Sequence, residues 1–275
     1  MPDVSIIIPC FNHGQFIHDA IDSVLCQTHD NFEIIVVNDG STEQHTTDIL
    51  KKINHPKIKV IHTPNQGLAS ARNNGIREAQ SEIILPLDSD DKISPTYIEK
   101  ALPVLRKDPT IGIIYCQAKL FGEKHGKWYL PTFSEAEALL RNLIFHCAFF
   151  RRCDWEAIKG YNPNMVYGWE DWDFWISIVS LGRRVFRIPE YLHTYRVRNR
   201  SMAHSMTDSQ KAAMHAQLFL NHQEFFLKHL TGFFQEIHRL QDLSERTLWD
   251  RLISDKLLHP VQLINNFKYK FYAHP

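Results

Sequence analysis

Five short runs of apolar, largely β-branched residues punctuate the first 120 positions: SIIIP, EIIVVN, IKVIHT, EIILPL and IGIIYCQ. They lack polar alternation, which predicts strands covered on both faces. Between them QFIHDAIDSVLCQ, TTDILKKI, GLASARNNGIREAQ and SPTYIEKALPVLRK carry helical spacing. Strict alternation of strand and helix predicts an α/β fold, Rossmann-like, with a mostly parallel sheet flanked by helices. From about residue 121 to 205 the pattern turns irregular and aromatic. Beyond it Phe219, Phe226, Leu230, Phe233, Ile237 and Leu240 recur three, four or seven apart, predicting helices with one apolar stripe. The expected organisation is one domain over residues 1–205 and a helical extension over 206–275.

Composition narrows the class. A chain of 275 residues with 44% hydrophobic positions can bury a sizeable core. Lys+Arg and Asp+Glu both number 31, and that balance lacks the basic excess of nucleic-acid binders, so no nucleic-acid partner is expected. No stretch approaches the roughly 20 apolar residues that cross a bilayer. The start MPDVSIIIPC has no basic leader region and reads as a first strand. Five cysteines without a C-x-x-C pair suit a reducing compartment. The expected location is the cytoplasm or the inner face of its membrane.

Open α/β sheets bind ligands beyond the carboxyl ends of their strands. Those ends deliver Pro9 and Asn12, then Asp39, then Pro64 to Gln66, and finally Asp88, Ser89, Asp90 and Asp91. Ser94–Pro95 offers an N-cap and first turn for the next helix, so the acids are not needed for capping. Carboxylates at i and i+2 suit a hard divalent cation that keeps part of its shell for phosphate oxygens. Ser41 and Gln44 form a potential capping box, which leaves Asp39 free to accept from a base or ribose. Gly67 opens a helix where phosphate can approach, with Arg72 a turn further in. Arg72 could pair with a diphosphate, fix one of the acids, or be an ordinary solvated residue. In GWEDWDFW, Glu170, Asp171 and Asp173 either complement a helix dipole or, crowded by tryptophans, supply a general base. His193 and His204 flank YRVRNRS, whose Arg196, Arg198 and Arg200 share one side of an extended segment, suiting a phosphate or a metal-bound ligand, or lining a solvated edge.

The blocks VSIIIPCFNHGQFIHDAIDSVLCQT, EIIVVNDGSTE, NQGLASARNNGI, ILPLDSDD and GWEDWDFW follow in the order and spacing of family 2 glycosyltransferases. The resemblance covers residues 3 to 205. It implies a GT-A fold with a nucleotide-binding part at about 1–120 and an acceptor-binding part at about 121–205. It implies transfer of a sugar, with inversion, from a nucleotide-diphosphate donor, helped by Mn²⁺ or Mg²⁺. By position, Pro9, Asn12, Asp39, Arg72, Asp88 and Ser89 resemble the donor-binding residues, with Asp39 facing the base and Asp88 the ribose or sugar. Asp90 matches the metal ligand and Asp91 a supporting partner. Asp171 matches the catalytic base, with Glu170 beside it.

The Q-x-x-R-W stretch of processive synthases is missing, so the resemblance points to addition of a single hexose, from a UDP-sugar by default, to a glycan or lipid-linked hydroxyl in cell-surface polysaccharide synthesis. The extension could pack on the core or form a homodimer contact. The closing NNFKYKFYAHP could touch a membrane surface that presents the acceptor. A sugar nucleotidyltransferase is disfavoured because the loop after the first strand, PCFNHGQF, has one Gly and no basic residue. A non-catalytic nucleotide-sugar-binding module is the other alternative.

Overall fold

The structure, a computed structural model, describes residues 1–198 and 205–254. The chain begins β1 (Val4–Cys10), α1 (Gly14–Leu25), β2 (Phe32–Asp39), α2 (Gln44–Lys52), β3 (Ile58–Thr63), α3 (Leu68–Arg77) and β4 (Ile83–Pro86). Every residue of β1 is buried, as its apolar run requires. Ile6 pairs with Ile34 of β2 on one side and Leu85 of β4 on the other, all parallel. With β3 parallel on the far side of β2, these four strands form the doubly wound half expected from the sequence.

The sheet then changes character. After β5 (Lys92–Ile93) and α4 (Tyr97–Lys107) come β6 (Ile111–Gly122), β7 (Gly126–Trp128), β8 (Phe149–Arg151) and β9 (Arg184–Val197). The strand order is β3-β2-β1-β4-β8-β6-β9-β5, with β7 on β6. β8 runs antiparallel between β4 and β6, while β6 and β9 are parallel, with register shifts. The sheet is therefore mixed: its long ladders, β1–β2, β2–β3 and β6–β9, are parallel, and its antiparallel pairings are short. β9 escapes the sequence pattern because arginines and a proline interrupt its apolar residues and much of it is exposed.

Two local expectations are corrected. Ser41 and Gln44 do not form a capping box, since α2 starts at Gln44 after Glu43 without a side-chain cap. Asn12 from the β1–α1 loop instead holds the turn that precedes α2: its Oδ1 accepts from Thr42 N (2.8 Å) and Glu43 N (3.0 Å). Ser94–Pro95 does not start α4 either; the helix begins at Tyr97 after Thr96. Ser94 N–H instead donates to Leu192 O of β9 at 2.8 Å, so the sheet claims the residue before the helix can.

α5 (Arg152–Ala157) and α6 (Glu170–Ser180) follow, and α7 (Asp208–Asn221) and α8 (Gln223–Lys228) belong to the same compact unit, which spans Met1–Lys228. α7 opens with a complete capping box between Thr207 and Gln210. A second unit, His229–Pro275, contains α9 (Leu230–Ser254). Among the described residues no helix is long and apolar enough to cross a membrane. The NNFKYKFYAHP segment lies outside the described residues.

α3 sits close on the sheet because Gly75 has no side chain: a Cβ there would lie 2.5 Å from Ile7 Cγ2 and 2.9 Å from Val37 Cγ2. Gly75→Ala gains up to ~1 kcal/mol of helix propensity. Overpacking against two stiff β-branched side chains costs about 1–3 kcal/mol and outweighs it. Urea unfolding should therefore show a net loss of stability with an unchanged m-value.

Candidate active site

The strand ends and the first turn of α6 surround a cleft of about 650 Å³, lined among others by Pro9, Asp39, Gly67, Arg72, Asp88, Ser89, Asp90, Glu170, Asp171 and Arg198. Residues far apart in sequence thus converge as the pattern of strand ends implied.

Arg72 organises the cleft. α3 starts at Gly67, whose φ of 85° takes the chain into the helix, and carries Arg72 inward until it is 1% exposed. Its Nη2 donates to Asp88 Oδ1 at 2.8 Å, and its Nη1 donates to Glu170 Oε1. Its Nε is buried without a hydrogen-bond partner. Asn73, next on the helix, donates to Tyr161 O (2.8 Å) and accepts from Tyr161 N (2.8 Å) and Trp155 Nε1 (2.9 Å). Tyr161 stacks on Phe174 of α6 with centroids 3.8 Å apart. Neighbouring residues of α3 therefore fix both the charge and the packing of the acid-bearing helix.

The acidic loop is held from behind. Asp91, fully buried, has Oδ2 3.0 Å from His193 Nε2 and 3.2 Å from His146 Nε2, while Oδ1 accepts from Arg196 N at 2.8 Å. Burial alone would raise the Asp91 carboxyl, but the two imidazoles outweigh it and hold it far below the usual range. Burial would lower His146, yet the Asp88 and Asp91 carboxylates lift it to about 9, so it carries charge at neutral pH. His193 moves the opposite way because burial dominates.

Asp90 behaves differently from its neighbours. Burial, then repulsion by Asp91 and Asp88, pushes it up to about 7, against the opposing charge of Arg198, whose Nε lies 2.8 Å from Asp90 Oδ2. A loop with hard oxygen donors and too little positive charge fits a divalent cation. Asp91, His146 and His193 also place ligand atoms within 4.8 Å of one another, although the oxygens of Asp91 already face both imidazoles and the Arg196 amide.

Asp171 sits in the first turn of α6, half-buried. Its Oδ2 accepts from Asn142 Nδ2 at 3.0 Å and its Oδ1 from its neighbour Trp172 N at 2.8 Å. Asn142 Oδ1 accepts from Ile144 N, which turns the amide NH₂ toward the acid. Burial, then the charge of Glu170, pushes Asp171 up to about 6, with Arg72 opposing. The residue before the acids, Trp169, has φ 64° and ψ 19°, a left-handed conformation costly for a bulky side chain. Its ring packs on Trp172 (5.2 Å) and on His215 of α7 (4.7 Å).

Other singled-out residues have structural partners. Asp39 accepts from Gln66 N (3.0 Å) and Gly67 N (2.9 Å), so it holds the entry to α3 while lining the cleft. Ser89 Oγ pairs with His13 Nδ1 at 2.9 Å. Asn12 is not among the cleft-lining residues. Arg196 pairs with Asp19 and lies 4.2 Å above the Phe121 ring, outside the cleft lining. His193 is buried behind Asp91, and Asp173 accepts from Asn221 (2.7 Å) and pairs with His222 (2.9 Å). His204 and Arg200 lie outside the described residues. Sequence reasoning missed His146 and Asn142; their only signal is position just before an apolar run, and long-range pairing alone brings them to the acids.

Comparison with known proteins agrees with this geometry. Residues 5–167 match the model of Glycosyl transferase family 2, and the chain belongs to that family. The Pasteurella multocida chondroitin synthase is 30% identical over 189 residues, covering 66% of this chain and 19% of the relative. A Rickettsia prowazekii uncharacterized glycosyltransferase is 30% identical over 242 residues, covering 84% of this chain and 73% of the relative. The chain spans between 19% and 47% of the Pasteurella and Rickettsia felis relatives it matches. Among solved structures, S. aureus TarS in complex with UDP-GlcNAc superposes with a TM-score of 0.66 at 18% identity, over 80% of this chain and 66% of that one. The Pyrobaculum calidifontis mannosyltransferase PcManGT, in complex with GDP-Man and Mn²⁺, gives 0.60 at 18%, over 96% and 83%. The fold is GT-A.

The raised carboxyl of Asp171 has a stability consequence. The folded protein holds this proton at pH values where the unfolded chain, with its ordinary value of 3.8, has released it. Stability therefore falls as pH rises from about 4 to about 6 and stays lowered above. Asp171→Asn does not titrate, so it should be more stable than the parent by about 1–3 kcal/mol at pH 8. The difference should vanish near pH 4 in a series of thermal melts.

Proposed function

We propose that the chain is an inverting glycosyltransferase that moves one hexose from a nucleotide-diphosphate sugar, a UDP-sugar by default, to a hydroxyl of a glycan or lipid-linked acceptor. The observation that carries this reading is the Arg72 clamp, which sets the Asp88–Asp90 loop and the Asp171 helix around one cleft. The family, the polysaccharide synthases among the relatives and the nucleotide-sugar complexes of the neighbours support it.

In this reading Asp39, Pro9 and Gly67 line the nucleoside end, and Asp88 and Ser89 meet the ribose or sugar. The Arg198 guanidinium, on the cleft wall beside Asp90, is suited to diphosphate oxygens. Asp90 would hold a divalent cation such as Mn²⁺ or Mg²⁺, which when bound supplies Lewis-acid stabilisation of the leaving nucleoside diphosphate. Asp171 takes the proton of the acceptor hydroxyl as its oxygen bonds to the anomeric carbon and the bond to the diphosphate oxygen breaks. Attack from the face opposite the leaving group inverts the centre. Glu170, tied to Arg72, keeps Asp171 raised and oriented beside it.

Two measurements test this. Melting temperature across nucleotides and nucleotide sugars, with and without Mn²⁺, should rise for one nucleoside diphosphate in a metal-dependent way, and Asp90→Ala should abolish the metal's contribution. No shift with any nucleotide would overturn the reading. Donor turnover should climb with pH through about 6 as Asp171 ionises, and Asp171→Asn should lower it by about 10²–10⁴. Unchanged turnover would remove Asp171 as the base.

A further inference from the structure

We propose that the acceptor end of the cleft takes an uncharged saccharide, seated with a C–H face of one pyranose on the indole of Trp128. This deepens the transferase reading and rests on it. Away from the acids the cleft is lined by Trp128, Leu130, Phe145, Tyr195 and Met206. Trp128 closes the short strand β7, pairs with Ala118 of β6, and is braced by Tyr195 (5.1 Å) and Phe145 (6.0 Å). Phe145 is held in turn by His193 at 4.6 Å, so the platform shares its support with the Asp91 cluster. Trp128 itself stays half-exposed on the cleft.

The chemistry of such a surface is specific. A pyranose presents apolar C–H faces and polar edges, so an aromatic face recovers the apolar burial without desolvating its hydroxyls. The charge around it selects further. Among the described residues the cleft's cations are Arg72, tied to Asp88 and Glu170, Arg198, tied to Asp90, and His146, tied to Asp88 and Asp91. Lys127, next to Trp128 on β7, turns away to lie 5.2 Å from the Tyr191 ring. Among the described residues, an anionic acceptor would therefore meet Asp171 and Glu170 at the reacting end and no unpaired cation on the platform. A neutral sugar meets neither penalty.

The test uses the full chain with saturating nucleoside diphosphate and Mn²⁺. Ligand-observed NMR would titrate neutral oligosaccharides of glucose, galactose and N-acetylhexosamine against uronate-containing chondroitin and hyaluronan tetrasaccharides. A neutral set should bind with saturation transfer to ring C–H protons. Its affinity should fall about tenfold in Trp128→Ala and largely survive in Trp128→Phe. An unchanged nucleotide-induced melting shift in both variants certifies their folding. Tighter binding of the uronate set, or neutral binding indifferent to Trp128→Ala, overturns the platform, as does no neutral binding in a protein whose nucleotide shift is intact. Absence of any nucleotide shift in the parent protein instead overturns the transferase reading, and this proposal with it.

Discussion

The structure depends on one buried cation. The guanidinium of Arg72 joins two carboxylates that the chain delivers from different elements: Asp88 from the end of β4, and Glu170 from the start of α6, 98 positions beyond Arg72. A buried ion pair of this kind adds little to stability when complete, because desolvation offsets attraction. Removing one member, however, strands a charge in the interior, which is far worse than never having placed it there. The arrangement therefore specifies geometry more than it adds stability: the acidic loop and the acid-bearing helix have one mutual position in which all three charges are satisfied.

The same logic explains why so many acids tolerate one another. Asp88 and Asp91 are compensated by Arg72, His146 and His193, and burial is outweighed in both. Asp90 and Asp171 are not, and burial with neighbouring charge drives them up. The protein thus keeps two carboxyls electrostatically unsatisfied while fixing the residues around them. Unsatisfied groups at a cleft are those that gain most from a ligand, and their partners gain most from being immobile.

The parallel half of the fold was legible because its information is local: apolar runs, helical spacing and strand-end polar residues all follow from positions near one another in sequence. Asp88, Asp90, Asp171 and Arg72 were legible for the same reason, as motifs on predictable elements. What sequence could not convey was partnership. Asp39 looks like a free strand-end acid until Gln66 and Gly67 donate to it, and Asn12 looks like a ligand residue until it accepts from Thr42 and Glu43 in the turn before α2. His146 has no signature of its own; only the antiparallel insertion of β8 beside β4 carries it to the acids. The sheet reversal was hidden because β8 is three residues long and β9 is broken by charged residues, so neither shows a clean period.

The first turn of α6 completes the picture. At its start Arg72 holds Glu170, and Trp169 is kept left-handed by rings from its own helix and from α7. One residue beyond the acid's neighbour Trp172, Asp173 is locked by Asn221 and His222 at the end of α7. Asp171 lies between these anchors, and Asn142 is the one side chain from another element hydrogen-bonded to its carboxylate among the described residues. A helix pinned on both sides of a single less-restrained carboxylate gives that carboxylate a fixed position and leaves its protonation open to what enters the cleft. The α7 helix, which the sequence placed in the extension beyond residue 205, thus belongs to the same compact unit and anchors the first turn of α6 through Asn221.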